Sequence, residues 1–130
     1  MSRLLPVVIF TWAGQLYGIE SSAVRGRGRI QSLPQGSQVM DFSVLLGQSA
    51  CQPDQWLKLQ GVDRDWLLGL TGEMDLVELQ IENIHPLPPI LATRLEFSPL
   101  RALAWYQQQL LNLLDAKLLS QLAEKKLADI

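Results

Sequence analysis

A run of β-branched and aromatic residues near the N-terminus restricts this chain to folds that contain a sheet. Residues 7–12 read Val-Val-Ile-Phe-Thr-Trp, and such residues favour strands. Ala13-Gly14 is typical of a tight turn, and residues 15–20 largely alternate between polar and apolar side chains. The sequence therefore predicts a β-hairpin over residues 7–20.

Further strand patterns extend over most of the remaining chain. Residues 40–47 predict the end of a strand followed by a one-turn helix, which Gly47 ends. With 130 residues and 48% apolar side chains, the chain is long enough for one mainly β domain with its own core. The predicted strands cover residues 25–30, 55–60, 66–70 and 74–79, and residues 84–89 form an extended proline-rich stretch.

Residues 100–128 admit two interpretations. Their leucine, alanine and glutamine content favours one long amphipathic helix. The alternative is a strand over residues 100–106, a Gln107-Gln108 turn, a strand over residues 109–113 and a terminal helix that Asp115 caps. An internal echo favours the second interpretation, because Asp115 repeats Asp41 as an acidic residue before a helix with paired apolar residues. The echo predicts two similar β-subdomains packed side by side.

Four segments, taken in order, resemble the CheW-like domain family of bacterial chemotaxis adaptors. The first two look like the family's opening hairpin and the end of its first subdomain, and the last two look like the strands and the closing hairpin and helix of its second subdomain. The segments are Val8–Arg25 (VIFTWAGQLYGIESSAVR), Val39–Gly47 (VMDFSVLLG), Trp66–Pro89 beginning WLLGL and ending IHPLPP, and Leu100–Leu122.

This resemblance implies a fold of two small five-stranded, β-barrel-like subdomains with short helices and a C-terminal helix. It therefore supports the hairpin interpretation of residues 100–113. We expect residues 1–130 to form a single CheW-like domain. Its parts are a shortened first subdomain over residues 1–50, a second over residues 51–114, and a C-terminal helix over residues 115–130.

The same resemblance implies a non-catalytic adaptor that docks a CheA-type histidine kinase or a related signalling protein. Val24 and Arg25 match the family's Val-Arg pattern after the first hairpin, and Leu76 and Val77 lie in a matching strand, so these four residues are the expected partner contacts. Only residues 27–38 span a gap where the family has a further strand and turn. Chemoreceptor contact therefore does not follow from the resemblance. The alternative is a degenerate, homo-oligomeric interaction module without kinase or receptor contacts.

Residues suited to catalysis or metal binding are sparse. His85 is the single histidine and Cys51 the single cysteine, which excludes most sites built from soft metal ligands and any internal disulfide. Asp63 and Asp65 flank Arg64 at a turn without a facing acid in the sequence. The sequence therefore predicts neither an enzyme nor a cofactor.

Charge is distributed unevenly along the chain. Residues 51–100 carry three basic and eight acidic side chains, net −5, whereas Arg25-Gly26-Arg27-Gly28-Arg29 forms a small basic patch. Because the whole chain has a net charge of −2 and the patch contains no aromatic residue, an acidic protein partner is favoured over nucleic acid. No apolar run reaches the roughly 18 residues of a membrane span, and we predict a cytoplasmic protein.

Four tryptophans in so small a chain suggest apolar surface as well as core, although each taken singly is more often a core residue. They are Trp12, Trp56, Trp66 and Trp105. A shortened first subdomain would also leave unpaired strand edges, which favour β-addition by a partner or by a second copy. The sequence therefore leaves a homodimer open.

Overall fold

The computed structural model describes residues 3–88 and 97–128 and contains ten strands and two α-helices over those residues. Single 3-10 turns lie at Ser21–Ala23, Ile30–Ser32 and Ile81–Asn83. Pro89, the last residue of the predicted proline-rich stretch, lies outside the described residues. The strands are β1 (Leu4–Trp12), β2 (Gln15–Glu20), β3 (Val24–Arg29), β4 (Val39–Asp41), β5 (Gln55–Leu59), β6 (Trp66–Leu70), β7 (Met74–Gln80), β8 (Ile84–Pro86), β9 (Leu100–Tyr106) and β10 (Gln109–Leu114), and the helices are α1 (Phe42–Leu45) and α2 (Ala116–Ala128).

The strands form two sheets, which confirms the predicted mainly β fold. One sheet has six strands in the order β7-β1-β2-β10-β9-β8 and curves into half a barrel. The other has four in the order β3-β5-β6-β4. The strands thus divide six and four, where the resemblance implies five and five. Each sheet takes strands from both sides of residue 50, and the division into subdomains at residues 50 and 114 stays a prediction.

Strand β1 is buried on both of its faces, which explains why its apolar run is continuous rather than alternating. Val7 and Ile9 point into a cluster with Leu79, Leu111 and Leu113 on one side of the six-stranded sheet. Val8 and Phe10 point to the other side, into a larger cluster that the four-stranded sheet and the helices complete. Two cores therefore meet at this strand, and the larger one joins the two sheets.

Residues 100–114 form a hairpin and not part of a long helix, so helix propensity alone gives the wrong answer here. Gln107 and Gln108 have φ angles of 49° and 64°, as a two-residue hairpin turn with both central residues left-handed requires. Strand β10 pairs antiparallel with β9 and parallel with β2. The backbone hydrogen bonds to two neighbours and the burial of Leu111 and Leu113 outweigh a propensity difference of a few tenths of a kcal/mol per residue.

The predicted Asp115 cap is present, and Asp41 caps α1 in the same way. The Oδ1 of Asp41 accepts a hydrogen bond from the Ser43 N–H at 3.0 Å, at the start of α1. The Oδ1 of Asp115 accepts one from the Leu118 N–H at 3.1 Å, at the start of α2. Each carboxylate satisfies an N–H that a helix start leaves without a backbone partner, which explains the echo between the two segments.

Candidate docking site

The two sheets approach each other along a pair of edge strands. β7 ends the six-stranded sheet and β3 ends the four-stranded sheet. The strands are in contact where the Nη1 of Arg27 donates to the main-chain oxygen of Met74 at 3.3 Å. An open cleft of about 320 Å³ lies beside this contact, and Arg29, Gln55 and Glu73 also line it. All four predicted partner residues lie on these two strands.

On β3, the two predicted residues differ in accessibility. Val24 is half-buried, pairs with Leu59 and packs against the larger core. Arg25 is exposed and lies at a β-bulge, where the pairing of β3 with β5 shifts register. Its guanidinium donates to the main-chain oxygen of Ser22 at 2.9 Å and to the Oε1 of Gln60 at 2.7 Å. Arg25 is therefore an exposed side chain held in place by hydrogen bonds, whereas Val24 packs the strand against the larger core.

The same division holds on β7. The side chain of Leu76 is 58% exposed, although it lies inside a strand of seven residues. Its neighbour Val77 is half-buried and packs against the core inside the half-barrel. Leu76 is therefore available to a partner, whereas Val77 fixes the position of the strand.

The backbone of β7 presents unused hydrogen-bonding groups on its outer side. In an antiparallel pair, residues that bond the neighbour alternate with residues that face away from it. The Ile81 N–H donates to the Arg3 oxygen at 3.0 Å on the β1 side, whereas the Met74 oxygen faces Arg27 on the opposite side. By alternation, Leu76, Glu78 and Gln80 also direct their N–H and C=O groups away from β1. No strand among residues 3–88 and 97–128 pairs with this side.

Gly28, the second glycine of the Arg-Gly-Arg-Gly-Arg segment, has a packing role that sequence reasoning missed. Gly28 pairs with Trp56 on β5, and a Cβ added at Gly28 would lie 2.9 Å from the Cζ2 of the indole. The indole Nε1 donates to the Oγ of Ser32 at 3.1 Å, which fixes the ring across β3. Gly28 therefore makes room for an aromatic ring on one face of β3, while the three arginines remain exposed. A tryptophan in a strand that pairs with a Gly-x-Gly strand is the signal that could have identified this arrangement.

The two edge strands carry opposite charge. Residues 71–88 contain four acidic side chains and no lysine or arginine. All four are exposed, at Glu73, Asp75, Glu78 and Glu82. β3 carries three exposed arginines, of which Arg27 and Arg29 line the cleft. The site thus combines charged groups of both signs, one exposed leucine and outward-facing backbone groups.

The other chemical candidates lie on the surface and apart from this cleft's lining. His85 is exposed on β8, and Asp63 and Asp65 are exposed in the turn before β6. Cys51 is exposed, and its backbone N–H donates to the Asp41 Oδ2 at 2.7 Å. Within the described ranges, no three His, Cys, Asp or Glu side chains lie close enough together to hold a metal ion.

The tryptophans divide between core and surface. Trp12, Trp56 and Trp66 are half-buried, and the Nε1 of Trp66 donates to the buried Ser120 Oγ at 2.7 Å. Trp105 is 54% exposed and lies opposite the exposed Leu110 in the β9–β10 hairpin. Trp12 and Trp66 pack against the larger core, whereas Trp56 lies across β3 against Gly28 and Trp105 is a surface residue.

Comparison with known proteins identifies the fold. No family model and no curated protein matches the sequence. The crystal structure of the scaffolding protein TtCheW from Thermoanaerobacter tengcongensis matches with a TM-score of 0.69 and 14% sequence identity, over 90% of this chain and 92% of that one. In the part of the chain that the structure describes, no helix is long and apolar enough to cross a bilayer. The chain therefore has the CheW-like fold that its four sequence segments predict.

Proposed function

We propose that this protein is a non-catalytic, cytoplasmic adaptor in a chemotaxis-like signalling pathway, in which it docks a CheA-type histidine kinase or a related signalling protein. The observation that carries the proposal is the pair of edge strands, β3 and β7, with exposed charged and apolar side chains on a fold like that of a scaffolding protein. The whole chain acts as one docking domain. The proposal does not include contact with a chemoreceptor. Only Ile30–Gln38 connects β3 to β4, where the resemblance implies a further strand and turn.

Docking works through complementary burial. A stable complex needs roughly 1,200–2,000 Å² of buried surface in total. In this proposal Leu76 supplies an apolar anchor, Arg25 supplies a charged group whose hydrogen bonds to Ser22 and Gln60 already hold it in position, and the outer backbone of β7 offers hydrogen bonds to an added strand. Val24 and Val77 act through the position of their strands, because both are half-buried.

The exposed members of the site are the appropriate residues to test. Leu76→Asp and Arg25→Glu should each weaken binding to the adaptor-like domain of a CheA-type kinase by at least about tenfold, or ~1.4 kcal/mol, measured by isothermal titration calorimetry. Leu110→Asp is the matched control, because Leu110 is a 45% exposed strand leucine away from the cleft. Unchanged affinity of both site variants, with native circular dichroism, would refute the proposed site.

A second candidate function is a homo-oligomeric module without kinase or receptor contacts. The opposite charges of β3 and β7 favour it, since one copy of the chain contains both halves of a complementary pair. Light scattering with and without the kinase domain separates the two candidates, because an adaptor forms a complex with the kinase and a purely homo-oligomeric module does not.

A further inference from the structure

We infer that two copies of this chain pair edge to edge, with β3 of each copy added to β7 of the other. The inference rests on the proposed docking role of these two strands but requires no kinase. The strand that pairs with each edge comes from a second copy of the chain. The outward-facing backbone groups and the opposite charges of the two strands support this pairing.

The β7 edge lacks most of the devices that protect edge strands from pairing. It is seven residues long, contains no proline, and pairs with β1 over its full length without a bulge. Leu76, Glu78 and Gln80 direct their backbone groups outward, and Arg27 occupies only the oxygen of Met74 at the start of the strand. Acidic side chains are the remaining protection, and they exclude acidic partners rather than basic ones.

The β3 edge offers the matching set of groups. The Ile30 N–H donates to the Asp54 oxygen at 3.0 Å, so that residue faces β5. By the alternation of antiparallel pairing, Gly28 also faces β5, whereas Arg27 and Arg29 direct their backbone groups away from it. In the part of the chain that the structure describes, no strand pairs with this side of β3, so the residues whose backbone groups are open to a partner are the arginines themselves.

Electrostatics selects which edges pair. Two β3 strands would place arginines against arginines, and two β7 strands would bring together Asp75 and Glu78 of both copies, so both arrangements are repulsive. In an antiparallel β3–β7 pair with Arg27 opposite Glu78, Arg29 falls opposite Leu76 and Gly28 opposite Val77. This register joins opposite charges and leaves no like charges directly opposed.

The position of both edges at one cleft favours a closed dimer. Arg27 of β3 and Met74 of β7 are in contact within one copy, so both edges lie beside one cleft, and we expect a two-fold axis next to that cleft to bring both edges to the second copy. The two junctions are then equivalent, and the pairing closes as a dimer instead of continuing as a filament.

Sedimentation velocity of the full chain tests the inference, with paired charge reversals as the specific probe. The wild type should form a dimer whose dissociation constant increases at least about tenfold between 50 and 500 mM salt, because the contact is electrostatic. Arg27→Glu with Arg29→Glu makes both edges acidic, and Asp75→Lys with Glu78→Lys makes both basic. Each variant alone should be monomeric, and a 1:1 mixture of the two should form a heterodimer.

The control carries the same change in charge elsewhere. Asp63→Lys with Glu124→Lys alters two exposed acidic residues outside β3 and β7 and should leave the dimer intact. A measurement on the wild type alone adds an independent criterion. Amide hydrogen exchange at Leu76, Glu78 and Gln80 should slow as the protein concentration increases, whereas exchange at Val77, which already faces β1, should not change.

Several results would overturn the inference. They are a wild type that stays monomeric up to about 0.5 mM, variants that dimerise separately as the wild type does, a mixture that remains monomeric, or outward amides that exchange equally fast at all concentrations. None of these results decides the kinase titration, which uses a different partner, so failure of the self-pairing and failure of the adaptor function are distinguishable.

Discussion

Replacement of Gly28 by alanine should destabilise the protein through a single contact. The added Cβ would lie 2.9 to 3.0 Å from three indole atoms of Trp56, so the ring or the strand must shift. Overpacking of this kind costs about 1–3 kcal/mol. The reduced flexibility of the unfolded chain offsets about 0.4–1 kcal/mol of that cost. We therefore expect a net loss of about 1 kcal/mol, which corresponds to a decrease in Tm of roughly 3–5 °C for a domain of this size.

Gly26 provides the matched control, two residues away on the same strand. A Cβ added there would lie 3.4 Å from the Cζ3 of Trp56, an ordinary contact distance. Only the unfolded-state effect then remains, and Gly26→Ala should be neutral or stabilising by up to about 1 kcal/mol. Urea denaturation of both variants measures the difference, and Trp56→Phe in the Gly28→Ala background should restore part of the loss. Equal effects at the two glycines would refute the packing role of the indole.

Three further predictions concern the rest of the fold. Ser120→Ala should cost about 1–3 kcal/mol in urea denaturation, because it removes the acceptor of the Trp66 Nε1 hydrogen bond, and its effect should not add to that of Trp66→Phe. Gln107→Asn with Gln108→Gly should raise the Tm, since two left-handed non-glycine residues each cost about 1 kcal/mol or more. Burial raises the pKa of Tyr17 above its ordinary value of 10.0, so the unfolded chain loses the phenol proton at lower pH than the folded protein does. The free energy of unfolding should therefore decrease above about pH 10. Tyr17→Phe should reduce this decrease, measured by urea denaturation at a series of pH values.

Local patterns in the sequence predict most of the strands but not their long-range partners. The Ala13-Gly14 turn forms as predicted, with φ angles of 50° and 78°, because turn chemistry and alternation act over a few residues. The parallel contact of β2 with β10 joins Leu16 to Leu111, and no short-range pattern encodes it. Such pairing is set by the total area that the chain buries, which also decides residues 100–114 against their helix propensity.

For the candidate site too, the sequence predicts which residues belong to it but not which of them are exposed. A resemblance to the family's Val-Arg pattern and matching strand identifies Val24, Arg25, Leu76 and Val77, and the structure places all four on the two edge strands. Only the fold distinguishes the exposed Arg25 and Leu76 from the two half-buried valines. Exposure depends on which face of a strand packs against which sheet, and that information lies in residues distant along the chain.

The short connection between β3 and β4 explains why this fold has accessible edges without losing its core. Nine residues, Ile30–Gln38, join the two strands, and β3 and β4 end on opposite edges of a four-stranded sheet. The four-stranded sheet does not need to close into a barrel to stay in place. Its core packs against β1, which is buried on both faces, and the Oγ of Ser120 on α2 accepts a hydrogen bond from Trp66 of β6. An open edge strand must still be protected from pairing with other chains. Here the arginines of β3 and the acidic residues of β7 provide charge in place of a covering strand. We expect the opposite charges on these two neighbouring edges to repel most strands and to admit a complementary one, so that the same charges limit indiscriminate association and select the partner.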